Sequence, residues 1–365
     1  MSYMNRIQQF DQTHLLPASP TLIHQLEQID WNIFEKQRQT AHANIKRQYE
    51  LIHDLGTVQT TEHPAAFLQN KQLGLLIMAG GQATRLGLGI PKALLQVTTK
   101  TLLQIVIERV FAFNELYSTS VHIGIMASQN AFDQIYEHLV TYDFFGYPKN
   151  EISLCAQASL PLLDANGNLM LNASGNLMLG PDGNGSLFQT FSPLIKTWQN
   201  KDFISVIQID NPLIDPFHPA VLEPILLGHD LSIAAIAHTD KQEKVGLFAR
   251  ENDHIVVIEY SELTPNEMLD IDTWANISFF ACTPKFAFSS ANHQLPLHIA
   301  KKKMKGKDVF KAEYFIFDHF PYAHNPTIIP IDRSLYFSPV KNRQGSESLE
   351  TAREALQHSN PKRLI

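Results

Sequence analysis

Residues 73–92 read LGLLIMAGGQATRLGLGIPK. The apolar run 75–78 has the unbroken character of a central strand buried on both faces. It ends at Gly80-Gly81, where the lack of a Cβ lets backbone amides come close to a ligand. Gln82, Thr84 and Arg85 follow, and Pro91-Lys92 close the stretch. A glycine-rich turn at the end of a buried strand, with an arginine and a lysine just beyond it, is suited to cradling a polyphosphate. The spacing is neither G-x-x-x-x-G-K-[ST] nor G-x-G-x-x-G, so the commonest phosphate loops do not account for it.

Outward from that turn the pattern alternates. Residues 101–114 and 132–142 have helical periodicity, and 121–126 and 203–209 read as strands. Such alternation predicts an α/β fold, a mixed and mostly parallel sheet with helices on both faces, whose ligands gather at the carboxyl ends of strands. Residues 245–248 and 255–260 read as adjacent strands joined by a turn at 251–254. Upstream, Leu22, Leu26, Ile29 and Phe34 give residues 21–55 a helical stripe, expected to pack on the α/β domain. The expected organisation is an N-terminal helical arm over 1–70, the α/β domain over 71–345 and a short tail over 346–365. Inside the domain, NGNLMLNA and SGNLMLGP repeat over 166–181 and predict a β-hairpin of structural role. The lysines between 301 and 311 predict a solvated loop.

The 365 residues are 44% hydrophobic and 18% charged, the composition of an ordinary globular protein long enough for more than one domain. A net charge of −7 argues against broad nucleic-acid binding, which needs an excess of Lys and Arg on one face. A nucleotide needs only a few local cations. Cys155 and Cys282 supply neither a disulfide framework nor a metal-ligand cluster and suit a reducing compartment. No run has the length of a membrane helix, and MSYMNRIQQFDQTH lacks the apolar core of a secretory signal. A cytoplasmic chain with no membrane partner is expected.

Two more segments carry chemistry. GPDGNG, residues 180–185, is a second glycine-rich loop, readable on its own as a bare turn. The strand 203–209 ends in Asp210-Asn211, and a carboxylate there serves either to meet a metal and phosphates or to cap a helix.

AGGQATRLG…PK together with PDGNG resembles the signature of the eukaryotic-type UDP-sugar pyrophosphorylases. The segment EYSE at 259–262 is identical to that of the UDP-N-acetylglucosamine (N-acetylhexosamine) branch and unlike the UDP-glucose branch. The resemblance covers most of residues 15–355 and implies a Rossmann-like, GT-A-like nucleotidyltransferase fold. It implies that 71–345 is the catalytic domain and that the separate C-terminal β-domain of eukaryotic members is absent. Ala83 stands where the family usually has glycine, and Cys155 where an aromatic residue precedes the base-contacting glutamine. By the resemblance, Ala79, Gly80, Gly81, Gln157 and Gly183 bind the nucleotide. Asn184, Gly246, Glu259 and Asn276 contact the sugar, the last from WANISFF, which departs from the family's NIANHFF. Phe315 and Phe317 lie near an acetamido methyl, or are plain core residues. Asp210 holds Mg²⁺. Arg85, Lys92 and Lys341, the lysine of FSPVKN, are the catalytic cations.

The reaction implied joins UTP and a hexose 1-phosphate, N-acetylglucosamine 1-phosphate favoured, into a UDP-sugar and pyrophosphate. Its nucleophile is already ionised, which agrees with the lack of any Ser-His-Asp or Cys-His constellation. Two alternatives stay open: the same reaction on glucose 1-phosphate, and a catalytically weak UDP-sugar-binding regulator.

Overall fold

The computed structural model describes residues 20–41, 47–56, 66–241, 243–268, 272–304 and 306–358. The beginning of the expected arm, its residues 42–46 and 57–65, and the end of the expected tail lie outside the described residues. The chain divides into two compact units, each assembled from separated stretches. Met1–Lys46, Ala158–Gly183 and Leu295–Phe315 form the smaller, and Arg47–Gln157, Asn184–Gln294 and Ile316–Ile365 the larger.

In the smaller unit the helical reading of 21–55 resolves into two helices, Pro20–Glu27 and Trp31–Ala41, followed in the larger unit by a short strand at Glu50–Leu51. The break falls at Asp30, whose carboxylate accepts from the backbone N–H groups of Asn32 and Ile33 and so caps the second helix. Leu22, Leu26 and Phe34 form the buried stripe, packed with Leu163, Leu169 and Leu177 of the repeat.

That repeat is not a β-hairpin. Leu162, Met170 and Met178, eight residues apart, bond in a ring: Met170 N–H to Leu162 O, Met178 N–H to Met170 O, and Leu162 N–H to Met178 O. Between them the chain makes the same turn each time. Asp164 Oδ1 accepts from Asn166 and Asn168 N–H, and Asn172 Oδ1 from Ser174 and Asn176 N–H. Gly167 and Gly175 take the left-handed conformation, φ 78° and 74°. The third copy enters the PDGNG loop, where Gly183 holds the equivalent position at φ 96°. A two-strand hairpin reading misses this because it stops at two copies. The lysine-rich stretch is likewise not a loop. His298–Met304 pairs antiparallel with Lys307–Glu313, turning at Gly306, and the second strand also pairs with Leu163–Asp164.

The larger unit is built on a ten-stranded sheet. Its strands are β1 (Glu50–Leu51), β2 (Gln72–Met78), β3 (Ser120–Ala127), β4 (Ile152–Ala156), β5 (Phe203–Gln208), β6 (Leu231–Ala237), β7 (Gly246–Glu251), β8 (His254–Ile258), β9 (Trp274–Cys282) and β10 (Pro326–Pro330). The main path runs β1-β7-β9-β5-β2-β3-β4, with β8 on β7, β6 on β9 and β10 on β6. β2 lies between β5 and β3, parallel to both, and β4 is parallel to β3. This is why 75–78 is uniformly apolar: a strand covered on both faces has no polar side.

β9 runs against its neighbours and changes partner midway. Asn276 and Ala275 pair with Gly246 and Leu247 of β7, whereas Phe280 to Cys282 pair with β5. The register shifts between Asn276 and Phe280, with Ser278 at φ 55°. The shift lies in the ladder of β9 with β6, at the point where the other edge of β9 passes from β7 to β5.

The helix Leu102–Tyr117 covers β2 and its neighbours with Leu103, Val106, Ile107, Val110 and Phe113. Thr101 caps it, accepting from Gln104 N–H at 3.2 Å. From the same helix the buried Arg109 donates to the carbonyls of Ile214 (2.5 Å) and Pro212 (2.9 Å). Burial pushes the guanidinium down to about 10, and the Asp215 carboxylate opposes the shift. Arg109 thereby pins the loop that follows Asp210-Asn211. Arg109→Leu leaves two buried carbonyls without charged donors and is expected to destabilise the fold by about 3 kcal/mol. A urea titration checks this, and a loss below about 1 kcal/mol would mean that the loop is held by other contacts.

Candidate active site

The parallel strands β2, β3, β4 and β5 deliver their carboxyl ends to one place. Ala79 N–H donates to Met126 O at 2.8 Å, and Ile209 N–H to Met78 O at 3.2 Å. The Gln157 carboxamide lies against Gly80, where a Cβ would stand 2.5 Å from its Oε1 and 3.3 Å from the Ser128 backbone nitrogen. The Gln157 backbone is held by its N–H to Ala127 O at 2.7 Å. The chain beyond Gly81 then folds back on itself. Ala83 N–H donates to Ile90 O at 3.0 Å and Lys92 N–H to Gly81 O at 2.9 Å. The Lys92 stem consequently lies over Gly81, its Cδ 3.6 Å from where a Cβ would be. Ala83 needs no glycine: at φ −80° its backbone is ordinary, and its methyl is buried in the core. Arg85 stands exposed on the one-turn helix Thr84–Leu86.

Lys92 Nζ donates to Asp210 Oδ2 at 2.9 Å, and the two side chains are only 17% and 5% exposed. Gln208 Nε2 reaches the same oxygen at 3.4 Å. The C-terminal stretch is strapped to this point by backbone bonds. Asn211 Oδ1 accepts from Ser338 N–H, Asn211 Nδ2 donates to Tyr336 O, and Val340 N–H donates to Asp210 O at 2.8 Å. Lys341 is therefore next in sequence to a residue bonded to Asp210. Its ammonium pairs with Glu347 at 2.9 Å and lies over the Phe337 ring.

Among the described residues no group of three or more His, Cys, Asp or Glu could hold a metal ion. Mg²⁺ usually takes only one or two protein carboxylates together with substrate phosphates. Asp210, a single strand-end carboxylate, fits a metal that arrives with a nucleotide.

On the sheet's other flank Gly246, Glu259 and Asn276 come together. Gly246 pairs with Asn276 across β7 and β9, and a Cβ on Gly246 would lie 3.3 Å from Glu259 Oε1. Asn276 Oδ1 accepts from Ser278 N–H at the bulge. Asn184 follows the PDG turn, and its Oδ1 accepts from Ile316 N–H at 2.9 Å. Phe317 is buried in the segment Ile316–Tyr322. Gly183 and Phe315 belong to the smaller unit. There the Gly183 backbone passes so close to Tyr314 that a Cβ would stand 2.2 Å from its carbonyl oxygen, and Phe315 packs on His298.

A family model described as UTP–glucose-1-phosphate uridylyltransferase matches residues 20–349. UDP-N-acetylglucosamine diphosphorylase 1 of Arabidopsis thaliana is 28% identical over 324 residues, 77% of this chain and 63% of its own length. UDP-N-acetylglucosamine pyrophosphorylase of Saccharomyces cerevisiae is 28% identical, over 78% of this chain and 68% of its own. The chain thus spans less than two thirds of the Arabidopsis thaliana relatives, 63% and 64%. A solved structure from Entamoeba histolytica, described as a UDP-N-acetylglucosamine pyrophosphorylase, has a TM-score of 0.76 at 25% identity and covers 85% of this chain and 87% of its own. That of the Trypanosoma brucei enzyme of the same name has a TM-score of 0.72 at 21% identity, covering 89% and 68%. No helix among the described residues is long and apolar enough to cross a membrane.

Sequence reasoning did not find Glu347, Asn211's strap or His319. Glu347 has no signal beyond lying six residues after Lys341, and Asn211 only its place beside Asp210. His319 is buried and bonds the Gly185 carbonyl through Nε2 at 3.0 Å. Burial pushes this histidine down to about 4 from an ordinary 6.5. The native state thus holds it neutral, while the unfolded chain takes up a proton as pH falls below 6.5. Its contribution to stability is complete above that value and is lost as pH falls towards 4. His319→Gln removes the titrating group, so its melting temperature should fall less steeply than wild type between about pH 7 and 4.5. Parallel slopes in thermal scans would contradict the assignment.

Proposed function

Because the chain belongs to the UTP–glucose-1-phosphate uridylyltransferase family, we propose that it transfers the uridylyl group of UTP to a hexose 1-phosphate, N-acetylglucosamine or N-acetylgalactosamine 1-phosphate before glucose 1-phosphate. The observation that carries this reading is Lys92, folded onto Gly81 and paired with Asp210 across the ends of adjacent parallel strands.

The sugar phosphate oxygen, ionised at neutral pH, attacks the α-phosphorus. The bond from that phosphorus to its bridging oxygen breaks, and pyrophosphate leaves with the electron pair. No side chain has to remove a proton. The obstacle is the approach of two polyanions, whose charges repel by about 4 kcal/mol per unit pair at 4 Å and an effective dielectric near 20. Lys92 and Arg85 act on the UTP phosphates and Lys341 on the sugar phosphate, each lysine exchanging its carboxylate partner for a phosphate. These contacts stabilise the transition state electrostatically. Mg²⁺, when bound, supplies further neutralisation of the phosphate oxygens, and Asp210 is the residue that would hold it.

Backbone at Ala79, Gly80 and Gly81, with Gln157, suits the nucleotide. Asn184, Gly246, Glu259, Asn276 and Phe317 suit the sugar. The roles of Gly183 at the base and Phe315 at the acetamido methyl rest on the resemblance. The acetamido preference rests on EYSE, whose Glu259 stands beside Gly246, and on the names of the Arabidopsis thaliana and Saccharomyces cerevisiae relatives. The cytoplasm, which supplies UTP and keeps thiols reduced, is the compartment this reading implies.

Pyrophosphate release with UTP, Mg²⁺ and a panel of sugar 1-phosphates tests it. N-acetylglucosamine 1-phosphate should exceed glucose 1-phosphate in kcat/KM by about tenfold or more, because a site built to pair a polar group rejects the analogue that lacks it. Lys92→Ala should lower kcat by about 10²-fold. Reversed preference would favour the UDP-glucose reaction, and no release with any sugar would favour a binding protein.

A further inference from the structure

Asn184 and Gly185 are held from one side by the segment Ile316–Tyr322, in which His319 has no part in the proposed reaction. Two hydrogen bonds join them. Ile316 N–H donates to Asn184 Oδ1 at 2.9 Å, and His319 Nε2 lies 3.0 Å from Gly185 O. A carbonyl only accepts, so Nε2 carries a proton. His319 Nδ1 in turn lies 3.2 Å from Nδ1 of His293. A neutral imidazole with its proton on Nε2 presents a bare Nδ1, so the proton between the two rings belongs to His293. Protonating His319 would set two N–H groups against each other, and burial opposes that charge as well.

The surroundings fix both rings. His319 is 2% exposed and meets the Phe188 ring edge to face, centroids 5.1 Å apart. His293 stacks on Tyr322 at 3.9 Å. The arrangement sets one tautomer of one histidine against one carbonyl. An apolar side chain packed beside Phe188 would leave the buried Gly185 carbonyl without its imidazole donor.

We propose that His319 is a positioning residue for sugar-phosphate binding. As the Nε2–H tautomer, set by His293, it fixes the Gly185 carbonyl and with it the orientation of Asn184. Ile316 N–H occupies the carboxamide oxygen of Asn184, so the amide Nδ2 is the end turned to a ligand. That ligand is a hexose carrying hydroxyl or acetamido oxygens. The proposal rests on the reading of Asn184 as a sugar ligand.

The test compares wild type with His319→Leu, His319→Gln, Asn184→Ala and the double variant Asn184→Ala/His319→Leu, in steady-state pyrophosphate release with N-acetylglucosamine 1-phosphate. Loss of positioning removes uniform binding, so His319→Leu should raise KM for the sugar phosphate about tenfold with kcat and KM for UTP little changed. Gln, which keeps an N–H at similar reach, should recover most of it. Asn184→Ala should raise the same KM at least as much, and the double variant no further, because His319 acts only through Asn184. An unchanged KM in His319→Leu beside a raised KM in Asn184→Ala overturns the positioning role and leaves the proposed function standing. An unchanged KM in Asn184→Ala overturns the sugar-ligand reading and this proposal with it. Should His319→Leu fail to fold, ¹⁵N NMR of the wild-type imidazole decides. A non-titrating Nε2–H tautomer between about pH 5.5 and 8 supports the proposal, and an Nδ1–H tautomer or a titrating ring overturns it.

Discussion

The contact between the Lys92 ammonium and the Asp210 carboxylate governs the layout of the larger unit's strand ends. Either charge alone at that depth would be costly, and together they cancel. The pair fixes where two loops end. On one side it requires the chain after Gly81 to double back so that Lys92 returns to the strand it left. On the other it sets Asp210, whose carbonyl accepts from Val340 and thereby draws in the FSPVKN segment. A cation with a carboxylate partner is also a cation with an exchangeable partner. The same arrangement recurs at Lys341 and Glu347, so each of the two lysines is held by an acid, and the proposed function has each exchange that acid for a phosphate.

The rest of the sheet positions this point and the flank where Gly246, Glu259 and Asn276 lie together. Parallel strands align their carboxyl ends, and Arg109 anchors the loop behind Asp210 from the helix below. β9 leaves β7 for β5 near Ser278, where its ladder with β6 also shifts register, and Asn276 stays paired with Gly246. Glycine at 246 leaves room for the Val257 side chain, which a Cβ would meet at 2.6 Å, and Glu259 Oε1 lies beside it at 3.3 Å.

Much of this was legible beforehand because it is local. The strand through 75–78 declares itself by a run with no polar face, and Gly80-Gly81 by the break in it. Thr101 was read as the first helical residue and is the cap, an error of one position. What misled was regularity with an unfamiliar period. The repeat at 166–181 turns every eight residues with an Asp or Asn capping each turn, so two copies looked like a hairpin when three close a ring. Lysine-rich composition hid the strands on either side of Gly306, since strand pairing there is carried by backbone and not by an apolar face. The partners Glu347 for Lys341, six residues away, and His319 for the distant Gly185 left no mark in the sequence because each contact depends on where the fold brings two side chains or a side chain and a carbonyl.

The measurement that bears most directly on the exchange of partners is a crystal structure with UTP bound. The account predicts that Lys92 Nζ leaves Asp210 and stands within about 3.2 Å of a UTP phosphate oxygen. Lys92 still paired with Asp210, with the UTP phosphates held by other groups, would contradict it.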